Sequence, residues 1–276
     1  MIGLLAGIVL APLLPGVIQT LKAFAQGRRG TRPTQPYLEL RRLWRRSSVD
    51  PAGTGIVYRV APALVAACLL VALALLPIAD AGLGHDAFAL VGVLALARFA
   101  LAAAAWDTGN GFALMGAARD LAFAVFGEAL LALALIAAAL PAQSTDLNAI
   151  AAAADWGEPS HWCAALAFAL VILLETGRQP IDNPDTHLEL TMIHEGPLLE
   201  YAGRDLAYLQ WAAAARHWVF LVLGAELFLP GGVLAVPVLC VALAAVETAQ
   251  AKMRILRVPA LLGLGMLVAL AGVWAA

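Results

Sequence analysis

Long apolar blocks separated by short polar ones set the pattern of this chain. Eight apolar stretches stand out, roughly 2–24, 56–79, 87–106, 117–140, 160–177, 205–229, 232–250 and 256–275. A bilayer core about 30 Å thick is crossed by about 20 helical residues rising roughly 1.5 Å each. The pattern predicts an all-α integral membrane protein, a single membrane domain over residues 1–276 with about eight transmembrane helices. The fifth stretch is short before it reaches Glu175, and the sixth carries Arg216 and His217. The first has no basic residues ahead of it, and Lys22, Arg28 and Arg29 fall at or after its end. It reads as a retained helix, not a signal peptide.

Composition agrees. The chain is 62% hydrophobic and 13% charged, with a mean hydropathy of +0.85, whereas soluble domains sit near 45–50% apolar and about 25% charged. The polar connections give an orientation. With eight spans, the loops after the first, third, fifth and seventh share one side, and 16 of the 17 basic residues lie on or toward it, Arg216 being the exception. The positive-inside rule makes that side cytoplasmic and puts both termini outside. The net charge of -2 gives no reason to expect a nucleic-acid partner. Cys68, Cys163 and Cys240 stand far apart in apolar runs, which supplies no zinc, iron–sulfur or haem signature. They read as small packing residues. The inward side also carries residues 25–55, where Tyr37, Leu40, Leu43 and Trp44 recur at helical spacing between Arg41, Arg42, Arg45 and Arg46. This amphipathic segment would lie in the headgroup plane or dock on a partner.

The strongest polar interruption in the second half is ETGRQPIDNPDTHLELTMIHEGPLLEY, Glu175 to Tyr201, which holds 6 of the 19 carboxylates. His194 and Glu195 begin an HExxH pattern, but position 198 is Leu, so the zinc-peptidase reading fails. Charged groups within a bilayer are costly and mark bundle interiors or water-lined paths. Four glutamates fall in predicted spans: Glu128, Glu175, Glu226 and Glu247. Glu128, near mid-depth, is either a relay carboxylate or a protonated side chain bonded to a neighbouring helix. Glu175 is three residues before Arg178, so a local salt bridge competes with a proton role. Glu226 reads as interfacial, and Glu247 as a partner of Lys252 or Arg254. A hydrated lining of acids and histidines that passes protons from the loop toward Glu175 and Glu128 accounts for most of these residues.

From Asp182 to Asp205 the loop resembles, nearly residue for residue, the membrane subunit of formate hydrogenlyase and other energy-converting [NiFe] hydrogenases. These are relatives of the complex I membrane subunit that is numbered 1 in mitochondria, whose E-x-N-R-x-P-F-D…E-Y-S-G signature is similar. GRRGTRPTQPYLELRRL and ETAQAKMRILRVPALLG resemble the first and last cytoplasmic loops of that family, and GAARDLAFAVFGE its fourth helix. The resemblance implies a bundle of eight helices. It also implies that Glu128, Glu175, Asp182, Glu189 and Glu200 match carboxylates of the proton-conducting or coupling path, with Asp185 and His187 beside them. Arg178 and Pro180 would line the cavity beneath the redox module, with Arg204, Asp205, Arg41 and Arg42 facing the peripheral arm. Two departures stand out. His187 replaces a carboxylate usual in complex I, and Ala212 to Ala215 stand where complex I subunits place a further Glu.

The expected function is a membrane anchor and proton-coupling subunit, itself without redox cofactor or catalytic residue, of a hydrogenase complex in a prokaryotic cytoplasmic (inner) membrane. Its partners would be a [NiFe] hydrogenase large subunit, an iron–sulfur small subunit and antiporter-like membrane subunits. The [NiFe] centre and iron–sulfur clusters would belong to those partners. A quinone-site subunit of a complex I-like oxidoreductase and a stand-alone ion transporter are the alternatives.

Overall fold

The first apolar stretch is not one straight helix. Pro12 has no N–H to offer the Ile8 carbonyl, and in the computed structural model the stretch breaks there into α1 (Ile2–Leu10) and α2 (Leu13–Ala25), bent by 49°. The carbonyls orphaned by the break find partners on other elements. Ile8 O accepts from Trp211 Nε1 at 3.2 Å, and Val9 O from the Tyr37 hydroxyl at 2.6 Å.

The structure describes residues 2–182 and 193–276. After α2 come α3 (Gln35–Trp44), α4 (Ile56–Leu75), α5 (Ala87–Asp107), α6 (Gly111–Ala139), a short α7 (Leu147–Ala152), α8 (Pro159–Glu175), α9 (Gly203–Phe228), α10 (Val236–Ala249) and α11 (Val258–Ala275). Among the described residues there is no strand beyond one isolated bridge, Asp86 to Asp146. The all-helical membrane fold is as the pattern predicted. Among the described residues, five helical segments are long and apolar enough to cross a bilayer, and a sixth if α1 and α2 form one bent span. The other two of the eight expected stretches fall outside that set. α8 has 17 residues, and α9 carries Arg204, Asp205, Arg216 and Glu226.

α9 is the axis of the bundle. Every residue from Trp218 to Ala225 is buried, and α4, α8, α3 and α10 all pack against it. α5 lies between α4 and α6; α8 and α11 close the far side of α6, and α10 packs on α2. α3 is two-faced against this axis. Leu43 is buried, Trp44 meets Tyr208 of α9 edge to face, and Arg41 and Arg42 are exposed.

Two glycines bring the polar loop against the bundle. A Cβ on Gly116 of α6 would come within 2.7 Å of Gly196 Cα, so the loop backbone seats directly on the helix. Gly203 opens α9 at φ +57, with the Ser47 carbonyl occupying the place of a Cβ. Gly116→Ala should force loop and helix apart and destabilise the protein by about 1–3 kcal/mol, the usual cost of overpacking. The checks are the melting temperature in detergent and protease cleavage at 193–200; an unchanged melting temperature would contradict the contact.

Candidate functional site

A cavity of about 630 Å³ opens beside α3 and the broken first span and ends on a cluster of buried charges. Pro12, Pro15, Leu40, Leu198, Leu206 and Leu209 give it an apolar reach, and Arg98, Asp120, Glu175, Arg178, Asp182, His194, Arg216 and His217 a polar one.

The charges come from four helices and the loop. Arg98 lies mid-way along α5, within an otherwise apolar run, and is 5% exposed. Its Nη2 donates to both Glu175 oxygens at 2.7 Å. Its Nε stands 3.5 Å from Asp120 Oδ2, and its Nη1 3.5 Å from Glu128 Oε1. Arg216 Nη1 donates to Glu175 Oε2 at 3.1 Å. Glu175, 4% exposed, is therefore clamped between two guanidiniums that stay charged at any working pH. Glu128, on the opposite flank of Arg98, is the more open of the two.

From Asp120 the polar groups continue into the loop. His194 Nε2 is 3.9 Å from Asp120 Oδ1, and His194 Nδ1 is 3.6 Å from Asp182 Oδ2. Asp182 Oδ1 accepts from Lys252 Nζ at 2.7 Å, and Pro180 O accepts from Met253 N at 2.8 Å. The loop is thus tied to the connection before α11. Burial alone would raise the Asp182 carboxyl, but its interactions with His194 and Lys252 hold it well below the usual carboxylate range.

A second string runs beside the first. Arg178 Nη1 donates to Glu247 Oε1 at 2.9 Å, and Lys22 Nζ lies 3.4 Å from Glu247 Oε2. Arg178 Nε donates to His217 Nε2 at 3.3 Å. A guanidinium cannot accept, so His217 Nε2 carries no proton, and Nδ1–H donates to the Ala213 carbonyl at 2.9 Å.

The sequence-predicted residues divide accordingly. Glu128, Glu175 and Asp182 converge on the cluster, and Arg178 lines the same cavity. Asp185, His187 and Glu189 lie outside the described residues. Glu200 takes its hydrogen bond from Asn110 Nδ2, at the turn between α5 and α6. Its backbone carbonyl accepts from the Tyr58 hydroxyl at 2.8 Å, under the Tyr58–Tyr201 ring stack with centroids 4.3 Å apart. Arg204, Arg41 and Arg42 are exposed, and Asp205 is half-buried in the first turn of α9.

Spacing offers two local pairings, Glu175 with Arg178 as the alternative to a proton role, and Glu247 with Lys252 or Arg254. Among the described residues the ion pairs run across elements instead, Arg178 with Glu247 and Lys252 with Asp182. In both cases the partner is a buried carboxylate on another element. Sequence reasoning includes His194 only within a general lining of acids and histidines, and misses Arg98, Asp120, Arg216 and Lys252 as site residues. A basic residue in the middle of an apolar run is the one available signal for Arg98.

Glu175→Gln leaves two buried guanidiniums around a neutral amide. Removing one partner of a buried ion pair costs about 3–5 kcal/mol, so the melting temperature should drop markedly, and an unchanged value would refute the clamp. For Asp182 the lowered folded value means that its stabilisation of the loop is complete above the unfolded pKa of about 3.9 and is lost as pH falls through the folded one. Protease protection of residues 193–200 should be weaker in Asp182→Asn than in wild type at pH 7, and the two should converge in strong acid.

A family profile described as NADH dehydrogenase matches residues 1–276. Hydrogenase-4 component C of Escherichia coli (strain K12) is 34% identical over 232 residues, 82% of this chain and 73% of that protein. Formate hydrogenlyase subunit 4 of the same strain is 32% identical over 236 residues, 80% of this chain and 74% of that one. An NADH-quinone oxidoreductase subunit of Chlorobium luteolum is 26% identical over 263 residues, 83% of this chain and 70% of that protein. Among solved structures, a chain of the membrane-bound sulfane sulfur reductase, an archaeal respiratory membrane complex, superposes with a TM-score of 0.85 at 20% identity, covering 99% of this chain and 97% of that one.

Proposed function

Because this chain belongs to the NADH dehydrogenase family, and is a multi-pass membrane protein similar to components of hydrogenase and respiratory complexes, we propose that it is the membrane anchor and proton-coupling subunit of an energy-converting hydrogenase of the formate hydrogenlyase type. The observation that carries this reading is the unbroken set of ionisable groups, from Asp182 in the loop to Glu128 on α6, at the end of a cavity. Such groups are expensive inside a bilayer unless they move or hold charge.

On this reading α8 and α9 also cross the membrane, their charges sheltered by neighbouring helices, and the spans number eight. The loop and α3 face the cytoplasm in a prokaryotic inner membrane, with both termini outside. A peripheral arm carries the [NiFe] centre and the iron–sulfur clusters and docks near Arg41, Arg42, Arg204 and Asp205. Electron transfer in that arm changes the charge facing the cavity and so biases protonation at the loop end of the string. Antiporter-like subunits respond at the Glu128 end.

One observation favours a second reading. A volume of about 630 Å³ falls within the range of organic-ligand sites, and its apolar reach leading to arginines and histidines suits a quinone head. Inhibitor-sensitive quinone reduction by the purified complex would favour that reading over hydrogen production.

Glu128→Gln keeps the size of the side chain and removes its charge. In the purified complex in proteoliposomes it should leave hydrogen turnover in the presence of an uncoupler within about two-fold and lower proton translocation per turnover by roughly ten-fold or more, the scale of losing one proton-transfer group. Retained translocation would reject the coupling role.

A further inference from the structure

The proton-path expectation made Glu175 a carrier. The geometry points elsewhere: we propose that His194 is the proton-relay residue between Asp182 and Asp120, and that Glu175 is a fixed anion that positions Arg98. This deepens the coupling reading above and rests on it.

The two residues stand in contrasting surroundings. Glu175 receives three short hydrogen bonds from two arginines, at 2.7, 2.7 and 3.1 Å. A carboxylate so bonded gives up its charge only if a guanidinium withdraws, and both are held in the bundle interior. His194 has neither ring nitrogen in a hydrogen bond. Each nitrogen points at a different carboxylate just beyond hydrogen-bond range, 3.6 Å to Asp182 and 3.9 Å to Asp120. The ring lines the cavity, and its side chain is 25% exposed. Beneath it is Gly177, where a Cβ would come within 3.4 Å of Cγ and Nδ1. A displacement of well under 1 Å brings either nitrogen into contact, and there is open volume on the cavity side for it.

The charged groups around the ring come from every neighbouring element. α6 supplies Asp120, α8 supplies Glu175, α9 supplies Arg216 and His217, and the loop supplies Asp182 with Lys252 behind it. Among the described residues, the ring nitrogens thus face two carboxylates, Asp182 and Asp120.

The transfer balances without redox change. A ring protonated on Nε2 accepts on Nδ1 a proton that cavity water has delivered to the Asp182 carboxylate. The resulting imidazolium releases its Nε2 proton to the Asp120 carboxylate. The neutral ring, now protonated on Nδ1, turns toward the cavity, where water takes the Nδ1 proton and supplies one to Nε2, restoring the starting tautomer. Asp120, 3.5 Å from Arg98, thereby perturbs the guanidinium that also faces Glu128.

The test uses the intact complex in proteoliposomes, with uncoupled turnover and proton translocation measured separately. His194→Gln and His194→Gly should keep uncoupled turnover within about two-fold and lose roughly ten-fold or more of translocation per turnover. Millimolar imidazole, small enough for the cavity, should restore translocation in His194→Gly and not in His194→Gln. Asp120→Asn should show the same loss without rescue. Normal translocation in His194→Gln or Asp120→Asn, or a His194→Gly defect indifferent to imidazole, overturns the proposal. Glu128→Gln separates the two levels. If it loses translocation while His194→Gln does not, only the histidine relay falls; if it also translocates normally, the coupling reading falls with it.

Discussion

The contact between Arg98 and Glu175 is the constraint on which the bundle turns. Each is nearly inaccessible to solvent, and each alone would carry a prohibitive desolvation cost in this interior. Their pairing compels α5 and α8 to hold register, and the additional bonds to Asp120, Glu128 and Arg216 fix α6 and α9 to the same point. Apolar packing between Ala-rich helices is permissive about sliding. Oriented ionic bonds are not.

Around this point the charges are nearly balanced, and the balance explains why the cluster persists. Each buried acid has a basic group within reach, and the cationic groups come mostly from helices other than the acid's own. His194 lines the cavity, and Glu128, on the other flank of Arg98, is the most open acid of the cluster.

The apolar blocks made the helices legible, because a bilayer imposes one length on all of them. The acidic loop stood out through composition alone, and Glu128, Glu175 and Asp182 were recognisable as interior acids. Their partners were not. Arg98 looked like one more charge on the positive side, and Glu247 like the neighbour of Lys252, because linear spacing reports only contacts within a helix. Pairing across the bundle depends on which faces meet, and that is decided by packing among many nearly equivalent Ala, Leu and Val surfaces. Glu200, which the family resemblance groups with the carriers, takes a hydrogen bond from Asn110, and its carbonyl takes one from Tyr58 beneath a tyrosine stack. The break in the first span was written in Pro12 and Pro15, yet the continuous apolar run concealed it.

That break has a mechanical consequence. A continuous helix is stiff and closed to outside partners along its backbone, since its carbonyls are already engaged. Here one carbonyl is gripped by the Tyr37 hydroxyl of α3 and the one before it by Trp211 of α9. The surface helix and the central helix thus hold the same elbow from opposite sides. The Tyr37 hydroxyl joins α3 to the first span, whose prolines form part of the cavity wall. The bend at Pro12 therefore shapes one wall of the cavity as well as the path of the first span.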